Sequence, residues 1–357
     1  MRGANTGSMG GEYGLEETVP RRGVDRAAPL RELRRREFVS LLGGAAAAWP
    51  LAARAQSEVP VIGFLSSLSS DYASYMAAAF RQGVTETGFA EGHSVKYEYR
   101  YANGDYRRLA TMTDELVRRR VAVIAAGAPP AALAAKAATS TIPIVFVVGF
   151  DPIEAKLVES YNRPGGNVTG VHLITSPLGQ KRLELILELV PNARTINMLV
   201  NPTFPDTEIE VRDVQAAAIA NRRQLRSVNA STVAEIDEAF AAIADQHADV
   251  LIVASDPFFL TRREQFAALA ARHGIPAIYP FREFVAVGGL MSYGTSLAGA
   301  YREIGRYAGR ILKGEKPADL PVIQPTIFDM VINPKSAKAL GLDVPPTLLA
   351  RADEVIE

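Results

Sequence analysis

Two stretches of the chain follow one plan, and that plan limits the fold more than any other feature. "VAVIAAGAPPAALAAKAATSTIPIVFVVGF" (121–150) is an apolar run, a proline-bearing turn, an alanine-rich segment of helical character and a second apolar run opened by Ile142-Pro143. "DVLIVASDPFFLTRREQFAALAARHGIPAIYP" (249–280) repeats the plan, with Ile275-Pro276 at the corresponding place. A short apolar run without alternation has no face to turn to water, so it must be covered on both sides. Parallel strands covered by the helices that connect them meet that demand, which makes the chain α/β.

The remaining segments extend this grammar. "VPVIGFL" (59–65) reads as a buried strand, Tyr72 to Phe89 as a helix ending at a glycine, "SVKYEYRY" as an alternating strand and Tyr106 to Arg120 as a further helix. These complete a four-strand lobe with the two runs of 121–150. "PGGNVTGVHLI" (164–174) is expected to be a glycine turn feeding a strand, after which "LGQKRLELILELVP" opens a second cycle. Strands at 195–201, 224–229, 249–255, 275–280 and 290–294 then alternate with helices near 206–222, 231–246, 258–273, 281–287 and 296–313. The similarity of the halves suggests duplication of one lobe. "KGEKPADLPVIQPT" (313–326) reads as an extended crossing, "IFDMVIN" as a strand and "PKSAKALGL" as a short helix with proline in its first turn.

Ahead of all this, "RRREFVSLLGGAAAAWPLAARAQ" (34–56) joins arginines to an apolar run interrupted by glycines and a proline. The run falls short of the roughly 20 apolar residues that span a bilayer. Basic residues, a weakly hydrophobic core and the small-x-small Ala53-Arg54-Ala55 are the parts of an export signal, with cleavage expected between Ala55 and Gln56. Arg35-Arg36 ahead of Phe38 fit the twin-arginine type. Residues 1–55 are therefore read as a removable signal peptide, long enough that Met9 is a candidate start, and the mature protein as periplasmic with no membrane insertion.

Composition narrows the function classes. With 39 Lys and Arg against 39 Asp and Glu, nothing recruits nucleic acid or an anionic membrane surface. The absence of cysteine removes disulfides, thiolate metal sites and a cysteine nucleophile. There is no nucleophile elbow, no phosphate loop and no dinucleotide fingerprint, and His93, His172, His247 and His273 lack metal-ligand spacing. Neither a catalytic residue, a metal site nor a cofactor is expected.

In parallel sheets ligands bind beyond the carboxyl ends of strands. The loops there hold Ser66, Ser67, Ser69 and Tyr72, then Gly127 and Ala128, Phe150 and Asp151, Asn201, Ser255, Asp256 and Phe258, and Tyr293. Hydroxyls and free N–H groups before helices suit a carboxylate, Asp151 or Asp256 an ammonium, and the aromatic rings an apolar body. Together they suit an amino acid, although serine and aspartate before a helix are capping residues first.

"ADVLIVASDPFF", "HGIPAIYPFREFVAVGGLMSYG" and "ILKGEKPADLPVIQPTIFDMVINPKSAKALGL" resemble the ABC-transporter substrate-binding proteins of the tryptophan/tyrosine-type uptake group, and the opening "VPVIGFL" and "GVTETGFAEGHSVKYEYRYANGD" are similar too. The resemblance implies a type I periplasmic binding protein: two Rossmann-like parallel-sheet lobes joined by a three-segment hinge. It places lobe 1 at 58–174 plus 295–322 and lobe 2 at 175–290 plus 323–357. It further implies a non-catalytic, monomeric receptor that takes a small solute, an amino acid or related carboxylate, to an inner-membrane ABC permease and its ATPase. A ligand-sensing module of a signalling system would use the same cleft, and an enzyme on the same frame is the remaining alternative.

Arg35→Lys combined with Arg36→Lys is expected to strand the precursor in the cytoplasm, read by fractionation. Normal export of the double variant would assign the general secretory route instead.

Overall fold

The computed structural model describes residues 59–356 apart from Ser176, Pro205 and Asp206. The signal peptide expected at 1–55 lies outside the described residues. The first sheet has the order β2-β1-β3-β4-β5 and is parallel throughout: β1 Val61–Ser66, β2 Lys96–Tyr101, β3 Val123–Gly127, β4 Ile144–Val148 and β5 Val168–His172. Every residue of β3 and β4 is buried, as the apolar runs demand. On one face lie α1 (Ser70–Glu86) and α10 (Leu297–Leu312), on the other α2 (Arg108–Arg118) and α3 (Pro129–Ala138). The strand that follows the glycine turn is β5, which pairs in parallel with β4, so the first sheet has five strands where four were expected.

The second sheet has the order β12-β11-β10-β9-β8-β6-β7. Its strands are β6 Thr195–Val200, β7 Gln224–Asn229, β8 Val250–Val253, β9 Ala277–Tyr279, β10 Met291–Gly294, β11 Asp329–Ile332 and β12 Glu354–Val355. It is not wholly parallel: β11 runs antiparallel to β10, since the chain leaves after β10 to build α10 in the first lobe and re-enters from the opposite direction. The helices α4 (Leu178–Leu189), α5 (Thr207–Ala220), α11 (Pro334–Ala339) and α12 (Pro346–Leu349) share one apolar cluster. On the other face lie α6 (Val233–Asp245), α7 (Pro257–Thr261), α8 (Arg263–His273) and α9 (Arg282–Ala286).

Where one helix was expected over 258–273, two occur. The Thr261 hydroxyl donates to the Phe258 carbonyl (2.6 Å), the acceptor that a continuous helix reserves for Arg262 N–H. That N–H turns to Phe259 O instead (2.9 Å), and Arg262 leaves the helical conformation with ψ near 15°.

Three segments cross between lobes: after β5, between β10 and α10, and between Ile323 and β11. They are tied together. Thr295 Oγ1 donates to Leu173 O (2.9 Å), joining the first two, and the Gln324 amide of the third approaches His172 Nδ1 (3.4 Å) at the end of β5. One continuous set of buried apolar side chains runs from Phe64 and Met76 in the first lobe to Leu260 and Phe281 in the second, so the lobes meet in a closed arrangement. Among the described residues no helix is long and apolar enough to cross a membrane.

The helix that returns to the first lobe packs against α1 through small residues. A Cβ built on Gly83 would lie 1.9 Å from Arg302 O, and one on Gly305 2.1 Å from Phe80 O. Alanine at either position gains about 1 kcal/mol of helix propensity. Separating two packed backbones costs more, so Gly83→Ala and Gly305→Ala should each lower stability by a net ~2 kcal/mol in urea unfolding. A gain in either variant would show that this contact is slack.

Candidate functional site

The carboxyl ends of both sheets face one another, and a cleft of about 50 Å³ lies between them. The first lobe lines it with Leu68, Met76, Val147 and Leu173, and the second with Leu260 and Phe281. Four groups interrupt this apolar wall: Thr175 of the first crossing, Ser255, Asp256 and the hydroxyl of Tyr301. Beside it, across the Asn201–Asp256 hydrogen bond, lies a separate outer chamber of about 400 Å³ with polar walls, among them Ser69 and Asn103 from one lobe and Asn201 and Thr203 from the other.

Asp256 follows the buried strand β8 and caps α7. Its Oδ1 accepts from Phe259 N–H (2.9 Å), the expected consequence of aspartate before proline at the first helical turn. Its Oδ2 is left for the Asn201 amide, which donates at 3.2 Å. The residue is 3% exposed, and burial pushes its pKa up to about 6 although both hydrogen bonds pull the other way. No cation among the described residues pairs with it.

Beneath this loop sits a buried ion pair. Arg182 on α4 is 0% exposed and Glu210 on α5 1%; Arg182 Nη2 donates to Glu210 Oε1 (2.5 Å). The guanidinium also reaches Thr175 O (3.3 Å) and Tyr293 O (3.4 Å), while Glu210 Oε2 accepts from Ser255 N–H (3.0 Å). Burial disfavours both charges, raising the Glu210 pKa and lowering that of Arg182, and each is opposed by the partner's charge. The pair therefore holds the loop before Asp256, the first crossing and the end of β10 at one point.

The expected ligand contacts separate into three groups. Ala128, Ser255 and Asp256 line the inner cleft, and Ser69, Tyr72, Asn201 and Phe258 the outer chamber. Ser66, Ser67 and Gly127 lie just behind the wall: Ser66 Oγ accepts from Leu68 N–H (3.1 Å), Ser67 Oγ is buried without a partner, and the Tyr301 hydroxyl fills the space beside Gly127. Phe150, Asp151 and Tyr293 do not reach the lining. Phe150 is buried in the core of the first lobe, and Asp151 Oδ1 caps the turn at Ile153 N–H (2.7 Å). The Tyr293 ring packs on Phe328 at 6.1 Å. Sequence reasoning missed Met76, Thr175, Leu260 and Tyr301; helical spacing identified an apolar stripe on α1 and α10 but not which part of it meets the other lobe.

Two α/β lobes joined by three crossings, with an apolar cleft and one buried carboxylate between them, define a two-lobed small-molecule binding protein. The model of the ABC transporter substrate binding protein family matches residues 58–356, and the chain belongs to that family, whose members bind small molecules and work with an ABC permease. The "Tyrosine-binding protein" of Clostridioides difficile is 28% identical over 263 residues, 74% of this chain and 75% of that one. Among solved structures, an ABC domain from Streptococcus pneumonia in complex with L-Trp is 28% identical with a TM-score of 0.77, covering 83% of this chain and 99% of that one. The ligand-free, open structure of a substrate binding protein with adhesive properties from Clostridium difficile is 25% identical with a TM-score of 0.64, covering 84% and 99%.

Removing one member of the buried pair leaves the other charge uncompensated. Arg182→Met or Glu210→Leu alone should lower stability by about 3–5 kcal/mol in urea unfolding, and the double variant should recover most of that loss. A double variant as unstable as the singles would mean that packing, not charge, accounts for the loss.

Proposed function

We propose that this chain is the periplasmic receptor of an ABC importer and that it closes on an amino acid with an apolar, preferably aromatic, side chain. The observation that carries this reading is the single buried carboxylate at the edge of an apolar chamber: Asp256 awaits a positive partner, and the ammonium of an amino acid whose side chain enters the cleft would supply it. The relatives support the ligand class, one by its name and one by the L-Trp it holds. The greater likeness to the L-Trp complex than to the open, ligand-free relative, at nearly equal coverage, supports a closed conformation here.

The signal peptide at 1–55, of twin-arginine type and cleaved before Gln56, would deliver the mature protein to the periplasm. There it acts as a monomer with the hinge between 58–174 plus 295–322 and 175–290 plus 323–357. The closed form presents the ligand to an inner-membrane permease and its ATPase, and no chemical step is performed. Closure requires a free energy difference between open and closed states that the ligand supplies by touching both lobes.

Calorimetry of ligand-stripped protein with L-tyrosine, L-tryptophan and L-phenylalanine tests the ligand class. At least one should bind well below millimolar, and scattering should show contraction on binding. Asp256→Asn should weaken binding more than 100-fold, as for the loss of one partner of a desolvated charge pair, whereas Asp151→Asn, whose carboxylate is committed to a turn, should leave it within about twofold. Failure of every amino acid to bind would remove the proposal.

The pH dependence follows from the raised pKa. Between the ordinary carboxyl value of 3.8 and about 6, the folded, ligand-free chain keeps a proton that the unfolded chain releases. This residue's stabilising contribution is therefore full at low pH and is lost as pH rises through 6. Ammonium binding needs the ionised form, so affinity should run the other way and fall below pH 6. Asp256→Asn should abolish both trends.

A further inference from the structure

Away from the cleft, α1 of the first lobe meets α8 and α9 of the second, and two contacts cross between the lobes there. The Arg263 guanidinium lies over the Tyr72 ring, 4.7 Å from its centre. One turn further along α1, Tyr75 faces Glu283 of α9, and each is close enough to shift the other's titration. The Tyr75 hydroxyl and Glu283 Oε2 are both buried, yet neither is placed for a hydrogen bond of ordinary geometry. Neither residue lines the cleft or the outer chamber.

A carboxylate leaves water at a cost unless a cation or donors replace its hydration. The two arginines nearest to Glu283 are committed elsewhere, Arg282 to Glu354 and Arg263 to Glu264. Burial accordingly raises the Glu283 pKa above the ordinary 4.5, against smaller opposing pulls from its own backbone N–H, Tyr75, Arg282 and Arg263. Tyr75, raised in turn by burial and by the Glu283 charge, has Tyr301 of α10 as its further titratable neighbour.

We propose that Glu283 is a proton-controlled brake on closure: its ionised carboxylate opposes the meeting of α9 with α1, and a proton on it releases that opposition. A neutral carboxyl can donate to the Tyr75 hydroxyl, whereas an ionised one enters the contact without a committed cation. Parting the lobes takes Tyr75 away and returns Glu283 to water, where its pKa falls back towards 4.5. Closure therefore takes up a proton. The proton's contribution to the closed form is full below pH 4.5 and is lost as pH rises through the higher closed-state value. At neutral pH the brake favours the open receptor until a ligand touching both lobes overcomes it. None of this depends on which ligand the cleft takes, so failure of the amino acid reading would leave the brake standing.

The test follows the radius of gyration of ligand-stripped protein by small-angle scattering from about pH 8 down to about pH 4.5, with circular dichroism to show that the fold is kept. The wild type should contract as pH falls, its closing constant rising by up to tenfold per pH unit, the limit for one proton. Glu283→Gln, neutral and of the same shape, should already be compact at pH 8 and should not respond to pH. Glu283→Ala, which lacks the acid altogether, should also lose the response. Asp256→Asn removes the other acid whose pKa burial raises, and it should still contract. A wild type whose radius is the same throughout overturns the brake. So does a response that survives Glu283→Gln or disappears in Asp256→Asn, or a Glu283→Gln protein as open at pH 8 as the wild type.

Discussion

The Arg182–Glu210 pair is the constraint on which the cleft depends. Neither residue has access to water, and removing two charges from solvent is unfavourable unless their hydrogen-bonding capacity is used. It is used on backbone that matters: Thr175 O in the first crossing, Tyr293 O just before the second, and Ser255 N–H one residue ahead of Asp256. Thr175 and Ser255 lie in loops, where no ladder satisfies them, and Tyr293 is in β10 near its end. The pair therefore does for the edge of the second lobe what a strand would do elsewhere, and it relates the position of the hinge to that of the buried carboxylate.

The two chambers differ in polarity. The inner wall is apolar on both lobes, so an apolar side chain gains by leaving water and by filling space that closure alone would leave empty. The outer wall is polar, with Ser69 and Asn103 from one lobe and Asn201 and Thr203 from the other. Asp256 stands at the partition and has two roles at once, one oxygen on the Phe259 N–H and the other on Asn201. Capping and ligand recognition are often weighed as alternatives for an aspartate before a helix. Here the cap is what holds the carboxylate in a place dry enough to raise its pKa.

The family relatives bracket this arrangement. One was solved in complex with L-Trp and another in an open, ligand-free state. Leu68 and Met76 of the first lobe and Leu260 and Phe281 of the second belong to one buried apolar cluster and line the cleft between the lobes.

The α/β class, the sequence of strands and helices and the family were legible in the chain itself, because apolar runs of strand length and helical stripes are local patterns set by what must be buried. The lateral order of the strands was not legible. Val168–His172 reads as one more strand after a four-strand lobe, and only its pairing with Ile144–Val148 gives it a place at the edge of the first sheet. Asp256 and Ser255 could be singled out from their place after an apolar strand, and so could Asp151 and Phe150; tertiary packing alone separated the pair that lines the cleft from the pair committed to a turn and a core. Arg182, Glu210 and Tyr301 carried no sequence signal at all. Each acts across a separation in the chain that no local pattern bridges, and contacts of that kind exist only once a lobe has folded.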